Sequence, residues 1–209
     1  MKGVYFDEFH SYRNFNLILN SVDIGYPEVK TNLVEIQGGD GFLDLTEAFG
    51  APKLKNRKLT FNFTLIGVWE KEKSKIANAI HGKKMKIIMD KDPQYYYYGR
   101  CSINDFESNK GISKLVLEAD CDPYKYHNAV TVHKESITGE KDFICINDRK
   151  TVIPVIDVSS TMEITLNGKT YSLAAGKHKV LNIQFTEGYN RIRCKGSGYI
   201  TFTYLEGAL

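Results

Sequence analysis

Cysteine is scarce, with four residues, Cys101, Cys121, Cys145 and Cys194, in a chain of 209. None stands in a C-x-x-C pair, which argues against a zinc site or a disulfide framework and predicts reduced thiols in a core. Long apolar runs are missing too, and nothing approaches the roughly 18 residues of a membrane span. The opening Met1-Lys2-Gly3-Val4-Tyr5-Phe6-Asp7 turns polar too soon for a secretory segment, so the chain is expected to be made and folded in a cytoplasm, with no membrane partner. No sign of charge dominates: 28 basic and 25 acidic side chains are interspersed for a net charge of +3, without the basic footprint of a nucleic-acid or anionic-membrane binder.

Catalytic signatures are absent as well. There is no G-x-S-x-G elbow for a hydrolase triad. The five histidines, His10, His81, His127, His133 and His178, include no H-E-x-x-H and no pair at metal-binding spacing on a helix, which predicts structural or surface roles. Gly38-Gly39-Asp40-Gly41 lacks the lysine and following helix of a phosphate loop; it reads as a turn at a strand tip, an anion nest being the alternative.

What is present points to strands. Hydrophobic residues make up 42% of the chain and aromatics 12%, an ordinary globular composition whose aromatic share suits pleated surfaces. Met85, Ile87 and Met89 alternate, Lys91-Asp92-Pro93 forces a turn, and Tyr95 to Tyr98 begin a second strand. After a polar loop at 108–111, a third strand sets Leu115, Leu117, Ala119 and Cys121 against Lys114, Glu118 and Asp120. The clearest alternation places Leu59, Phe61, Phe63 and Leu65 on one face and Thr60, Asn62 and Thr64 on the other. Earlier strands are expected at 4–6, 15–22 and 33–37, with a turn at 10–14 and a stop at Gly25-Tyr26-Pro27. One helix fits, over about 70–81: Ile76 and Ile80 lie one turn apart, Glu70 and Glu72 sit in the first turn, Lys83 and Lys84 follow the end, and Gly82 suits a left-handed C-cap.

Beyond Asp122-Pro123-Tyr124 the texture changes. The polar stretch 133–142, with Gly139, reads as a boundary between domains at 1–133 and 134–209. Short strands then recur at 144–146, 151–158, 162–166, 170–173, 180–185, 191–194 and 199–204, and Asn167-Gly168 predicts a type I′ hairpin. Met162, Ile164 and Leu166, then Leu181, Ile183 and Phe185, then Ile200, Phe202 and Tyr204, are the expected inward faces. The fold class is mainly β: an N-terminal β-sandwich or barrel-like domain with one helix, plus a small C-terminal β-sandwich.

Three constellations are candidates for function. Asp90 with Asp92 and Asp120 with Asp122 form D-x-D pairs that suit acid–base or cation chemistry, or else cap turns before prolines. In the tyrosine run, Tyr95 and Tyr97 point one way and Tyr96 and Tyr98 the other; with Arg100 on their face, Tyr96 and Tyr98 suit a subunit interface or packing within the chain. In the second domain Tyr171, Tyr189 and Tyr199 suit a sugar platform or the core. No catalytic, cofactor-binding or metal residue is assigned.

The order MDKDPQYYYYGRCSI, a gap, then LVLEADCDPYKY, with Arg57, Phe61 and Phe63 on an earlier strand and Gly39-Asp40-Gly41 before that, resembles the distal tail protein (Dit) family of long-tailed bacteriophages. The resemblance covers about the first two thirds of the chain. It implies a non-enzymatic virion protein whose N-terminal domain forms a hexameric ring, single or back to back, at the junction of tail tube and adsorption device. It further implies a galectin-like or carbohydrate-module-like C-terminal domain and, as partners, the major tail protein, the tape measure protein, a tail-associated lysin or fibre and a receptor-binding protein. DNA would pass through without specific binding, so the lumen should not be strongly basic. The alternative is a carbohydrate-binding module that contacts host cell-wall glycan.

Overall fold

A computed structural model describes residues 3–48, 50–66, 69–109 and 111–209, with the side chains at 69–71 and 109 outside that description. The chain divides into two units, Met1–Pro123 and Tyr124–Leu209. In the first, the elements run β1 (Val4–Phe6), β2 (Phe9–His10), α1 (Ser11–Phe15), β3 (Leu17–Ile24), β4 (Leu33–Glu35), β5 (Phe42–Asp44), β6 (Arg57–Ile66), α2 (Trp69–Ile80), β7 (Lys84–Met89), β8 (Tyr95–Asn109) and β9 (Ile112–Cys121). The second adds β10 (Lys125–His127), β11 (Thr131–Asn147), β12 (Val155–Val158), β13 (Met162–Leu166), β14 (Lys169–Leu173), β15 (Gly176–His178), β16 (Gly188–Tyr204) and β17 (Gly207–Ala208). The fold is mainly β, as the alternation predicts.

Period-two patterning builds the first unit's sheet. Its strands lie in the order β2-β1-β7-β8-β9-β6-β3, and the pairings between neighbours are antiparallel. Phe61 lies opposite Leu117 and Phe63 opposite Leu115, so the inward faces of β6 and β9 form one apolar layer. Ile76 and Ile80 of α2 are fully buried in the same cluster, which gives this short helix the packing it needs. A buried Phe or Leu side chain contributes about 1.5–3 kcal/mol, so these alternations are the main source of stability.

Residues 10–14, expected as a turn, begin a second helix. The His10 ring nitrogen Nδ1 accepts from the backbone N–H of Tyr12 and of Arg13, capping α1, and Asn16 ends it in the left-handed region at φ 54°. With Nδ1 accepting, the ring proton sits on Nε2, 3.1 Å from Asp90 Oδ2, and Gly3 N–H donates to the same oxygen at 2.7 Å. Partial burial opposes ionisation of Asp90, but these bonds outweigh it and hold its carboxyl below the ordinary value. A lowered carboxylate pKa stabilises the fold above the unfolded value of about 3.9, and the gain disappears as pH falls through the folded value. Asp90→Asn is therefore expected to cost about 1 kcal/mol at neutral pH. Melting curves read by circular dichroism should show the difference from the parent chain shrinking to nothing in strong acid; a constant gap at every pH contradicts this.

The boundary expected at 133/134 falls inside β11, ten residues past the observed division at Pro123. That polar stretch is one limb of a long ribbon, since β11 pairs with β16 from Thr131↔Tyr204 to Asn147↔Gly188. Midway, Gly139 (φ 79°) faces Gly196 (φ 152°), with Gly198 (φ 130°) close behind. These conformations suit glycine and bend the ribbon. Its halves then carry different neighbours: β13 pairs with residues 192–195 of β16 and β12 with residues 200–203. Ile192 and Cys194 from one half share a core with Ile200 and Phe202 from the other, which makes a small sandwich from one bent sheet. Asn167 and Gly168 have positive φ (52° and 74°), the I′ turn the dipeptide predicts. Residues 180–185 form a turn and an isolated bridge between Val152 and Phe185 instead of a strand; Ile183 and Phe185 are buried, but the turn leaves Leu181 69% exposed.

Candidate assembly surfaces

The tyrosine run divides as its alternation predicts. Tyr97 is buried, 5% exposed, while Tyr98 on the opposite face is 38% exposed. Each outer ring meets a lysine of the neighbouring strand: Lys86 Nζ lies 4.3 Å from the Tyr96 centroid and Lys84 Nζ 4.6 Å from that of Tyr98. Lys84 also reaches Asp122 at 3.4 Å, and Arg100 donates to the carbonyl of Gly82 at 2.6 Å. The face is thus knitted together within the chain by cation–π contacts.

A second set of exposed apolar side chains lies where β3 leads into β6. Residues 25–48 and 50–56 leave the sheet as an arm tipped by the two-stranded β4–β5 hairpin, with Leu33↔Asp44, Val34↔Leu43 and Glu35↔Phe42 in register and Gly38-Gly39-Asp40-Gly41 at its turn. Both hairpin strands are exposed along their whole length. Phe42 is 64% exposed, Leu33 51%, Leu43 49% and Ile36 49%. Alternation and the register put Val34 and Leu43 on one face and Leu33 and Phe42, beside Glu35 and Asp44, on the other, so both faces carry large apolar side chains exposed to water. The arm's legs are tied together: Lys30 N–H donates to Lys53 O at 2.7 Å, Lys55 N–H to Glu28 O at 2.7 Å, and Asn32 N–H to Thr46 Oγ1 at 3.0 Å. The Thr46 hydroxyl and N–H hold the Asp44 carboxyl below its usual value. At the root Arg57 is 2% exposed; its Nε donates to Gly25 O at 3.1 Å, and its guanidinium lies 5.4 Å from the Tyr97 centroid and 5.8 Å from that of Tyr26. Burial raises the Tyr97 pKa, and Arg57 opposes that. The Leu33 strand and the glycine tip carry local sequence signals, whereas Phe42-Leu43 shows no alternation; its mark is apolar residues at consecutive positions on both sides of a turn.

The aspartates hold local structure. Asp90 is bound by His10 and Gly3 as above, Asp120 accepts from Asn56 Nδ2 at 3.2 Å, and Asp122 pairs with Lys84. Asp92 sits in the turn, its N–H donating to Met89 O at 3.0 Å and its carbonyl accepting from Tyr95 N–H at 3.2 Å.

All four cysteines are buried free thiols. Burial is the main cause that pushes Cys101, Cys121 and Cys145 up to about 12 and Cys194 to about 11. At pH 8 the thiolate fraction of a group with a pKa near 12 is about one in 10⁴. A disulfide reagent such as DTNB should therefore leave the folded chain unlabelled and find four thiols after denaturation; rapid labelling without denaturant contradicts the burial.

In the second unit Tyr189 and Tyr199 are 75% and 55% exposed, whereas Tyr171 is half-buried with its hydroxyl donating to Asn182 O at 3.4 Å. Tyr189 and Tyr199 stand ten residues apart on β16, on either side of the bend at Gly196 and Gly198. Lys134 Nζ lies 4.7 Å from the Tyr199 centroid. A cleft of about 660 Å³ opens between the β11–β16 ribbon and the β13–β14 hairpin, lined by Thr165, Asn167, Arg191 and Arg193 among others; Asp142 receives both the Nε (2.8 Å) and Nη2 (3.0 Å) of Arg193.

The SPP1 Dit protein, gp 19.1, described as a paradigm of the hub adsorption apparatus in phages infecting Gram-positive hosts, superposes with a TM-score of 0.69 over 98% of this chain and 99% of that one, at 15% identity. The fold is therefore that of Dit, in agreement with the resemblance in the sequence. A conserved protein of unknown function from Pseudomonas aeruginosa PAO1 aligns over 90% of this chain and 100% of its own at 12% identity with a TM-score of 0.29. Neither a protein-family model nor a curated protein sequence matches the chain.

Proposed function

We propose that this chain is a structural component of a phage or prophage tail tip and acts as a ring of six copies, or two such rings back to back, that joins the tail tube to the adsorption device. The observation that carries the reading is the arm: a hairpin with large apolar side chains on both faces, built onto a Dit-like fold and exposed in the single chain. Such a surface gains stability only when a neighbour covers it, and identical head-to-tail contacts that close make a ring. The carboxylates considered for catalysis are engaged in local bonds, and the reading is non-enzymatic. Its partners are the major tail protein, the tape measure protein, a tail-associated lysin or fibre and a receptor-binding protein, with DNA passing through the ring unbound. Among the described residues no helix is long and apolar enough to cross a membrane. Mass photometry or light scattering of the purified chain at micromolar concentration should give six copies or a multiple. A strictly monomeric species at the highest attainable concentration overturns the proposal.

A further inference from the structure

Three ligand-type side chains meet in the second unit at residues far apart in sequence. His127 ends β10, Asp148 follows β11 and Glu206 precedes β17. One ligand atom from each lies within 4.8 Å of the other two, and all three residues are half-buried. We propose that His127, Asp148 and Glu206 form a binding site for a first-row divalent cation, zinc by preference.

The main chain fixes the groups that carry the ligands. His127 N–H donates to Glu206 O at 3.1 Å, beside the Tyr126↔Gly207 register of β10 and β17, while Arg149 and Lys150 N–H both donate to Gly207 O, at 3.1 and 2.8 Å. Asp148 N–H donates to Glu206 Oε2 at 2.9 Å, and the Thr131 hydroxyl donates to Glu206 Oε1 at 2.5 Å, which orients that carboxylate. His127 Nε2 and Asp148 Oδ2 are 2.7 Å apart. A tetrahedral ion with bonds of about 2.0–2.1 Å needs donors about 3.3 Å apart, which small rotations of the two carboxylates can reach. The ion takes the place of the hydrogen between His127 and Asp148, and the ring proton moves to Nδ1 so that Nε2 ligates. Two carboxylates balance a dication. One imidazole with two oxygens selects zinc over calcium or magnesium, which take oxygen ligands, and leaves a fourth position for water. The occupied site ties the first and last strands of the unit to the end of β11. Spacing in the sequence could not show it, because the ligands are separated by 21 and 58 residues.

The test uses the full chain, stripped with a chelator and dialysed, then titrated calorimetrically with zinc chloride and spectroscopically with cobalt. We expect one ion per chain with micromolar or tighter affinity and an unfolding midpoint raised by zinc. Asp148→Asn and Glu206→Gln, which preserve shape, should each weaken binding at least about tenfold. The cobalt complex should show d–d bands with no thiolate charge-transfer band. Absence of saturable binding at millimolar zinc, unchanged affinity in both variants, or a thiolate band that puts the ion on cysteine overturns the proposal. Should a variant fail to fold, the cobalt spectrum of the parent chain still decides between imidazole–oxygen and thiolate ligands.

Discussion

Leu33→Asp/Phe42→Asp chains are expected to fold normally and remain single under conditions where the parent chain is expected to assemble into the proposed ring. The two residues lie on adjacent strands of the arm, 51% and 64% exposed, and the backbone ties between residues 28–32 and 46–55 do not involve their side chains. Exposed substitutions away from special features usually change stability by less than about 0.5 kcal/mol, so the melting temperature should hardly move. In a closed ring every copy contributes an arm, and an aspartate buried in each contact must be desolvated without a partner, at several kcal/mol. A loss of about 4 kcal/mol weakens each contact about a thousandfold, enough to dissolve a micromolar assembly. Tyr98→Ala provides the contrast. Its ring is already covered by Lys84, so truncation should weaken assembly far less than the arm variant. Size measurements on the three chains at equal concentration decide the matter: rings that persist in the double aspartate variant remove the arm from the interface, and dissociation confined to Tyr98→Ala moves it to the tyrosine face.

How much was legible in the sequence follows from the range of the interactions concerned. Strands β6, β7, β8 and β9 and helix α2 could be read because one face of each is buried in a common core, which imposes a period of two or 3.6 on neighbouring residues. The I′ turn at Asn167-Gly168 was legible for a similarly local reason: few residues tolerate positive φ at both positions. Helix α1 was missed because its cap is a histidine whose other nitrogen is held by Asp90, 80 residues away. The polar limb of the β11–β16 ribbon reads as a domain boundary because a wet strand with a central glycine has the composition of one; only its seventeen-residue pairing with β16 shows otherwise. The aromatic candidates were found by residue type, which says nothing of exposure: Tyr98 and Tyr199 are both exposed although each has a lysine against its ring. The arm's apolar residues stand at consecutive positions on both faces, so they follow neither burial period, and a search for cores passes over them.

Gly99→Val is expected to be among the most damaging single substitutions in the first unit. Gly99 lies on β8 between Tyr98 and Arg100, opposite Met85 of β7 on one side and Cys121 of β9 on the other. A β-carbon there would stand 2.4 Å from the Asp120 carbonyl oxygen, 2.5 Å from Cys121 Sγ and 2.6 Å from Cys121 Cα. Two of these three atoms belong to the main chain of the central sheet and cannot swing aside as the tip of a lysine would. Overpacking of a well-filled interior costs about 1–3 kcal/mol, and the value should lie at the upper end because β9 itself must move. Displacing β9 disturbs the Arg100↔Asp120 pair and the buried face that Cys121 shares with Ala119 and Leu117. Thermal unfolding followed by far-UV circular dichroism should show a midpoint lowered by about ten degrees, at several degrees per kcal/mol for a unit of this size. Gly99→Ala should fall between, because its single methyl group already makes the 2.4 Å contact while the two extra methyls of valine enlarge it. The ordering glycine, alanine, valine is the decisive feature: a valine chain that melts with the parent would mean that β8 and β9 do not approach so closely, and the register that carries the tyrosine face would have to be redrawn.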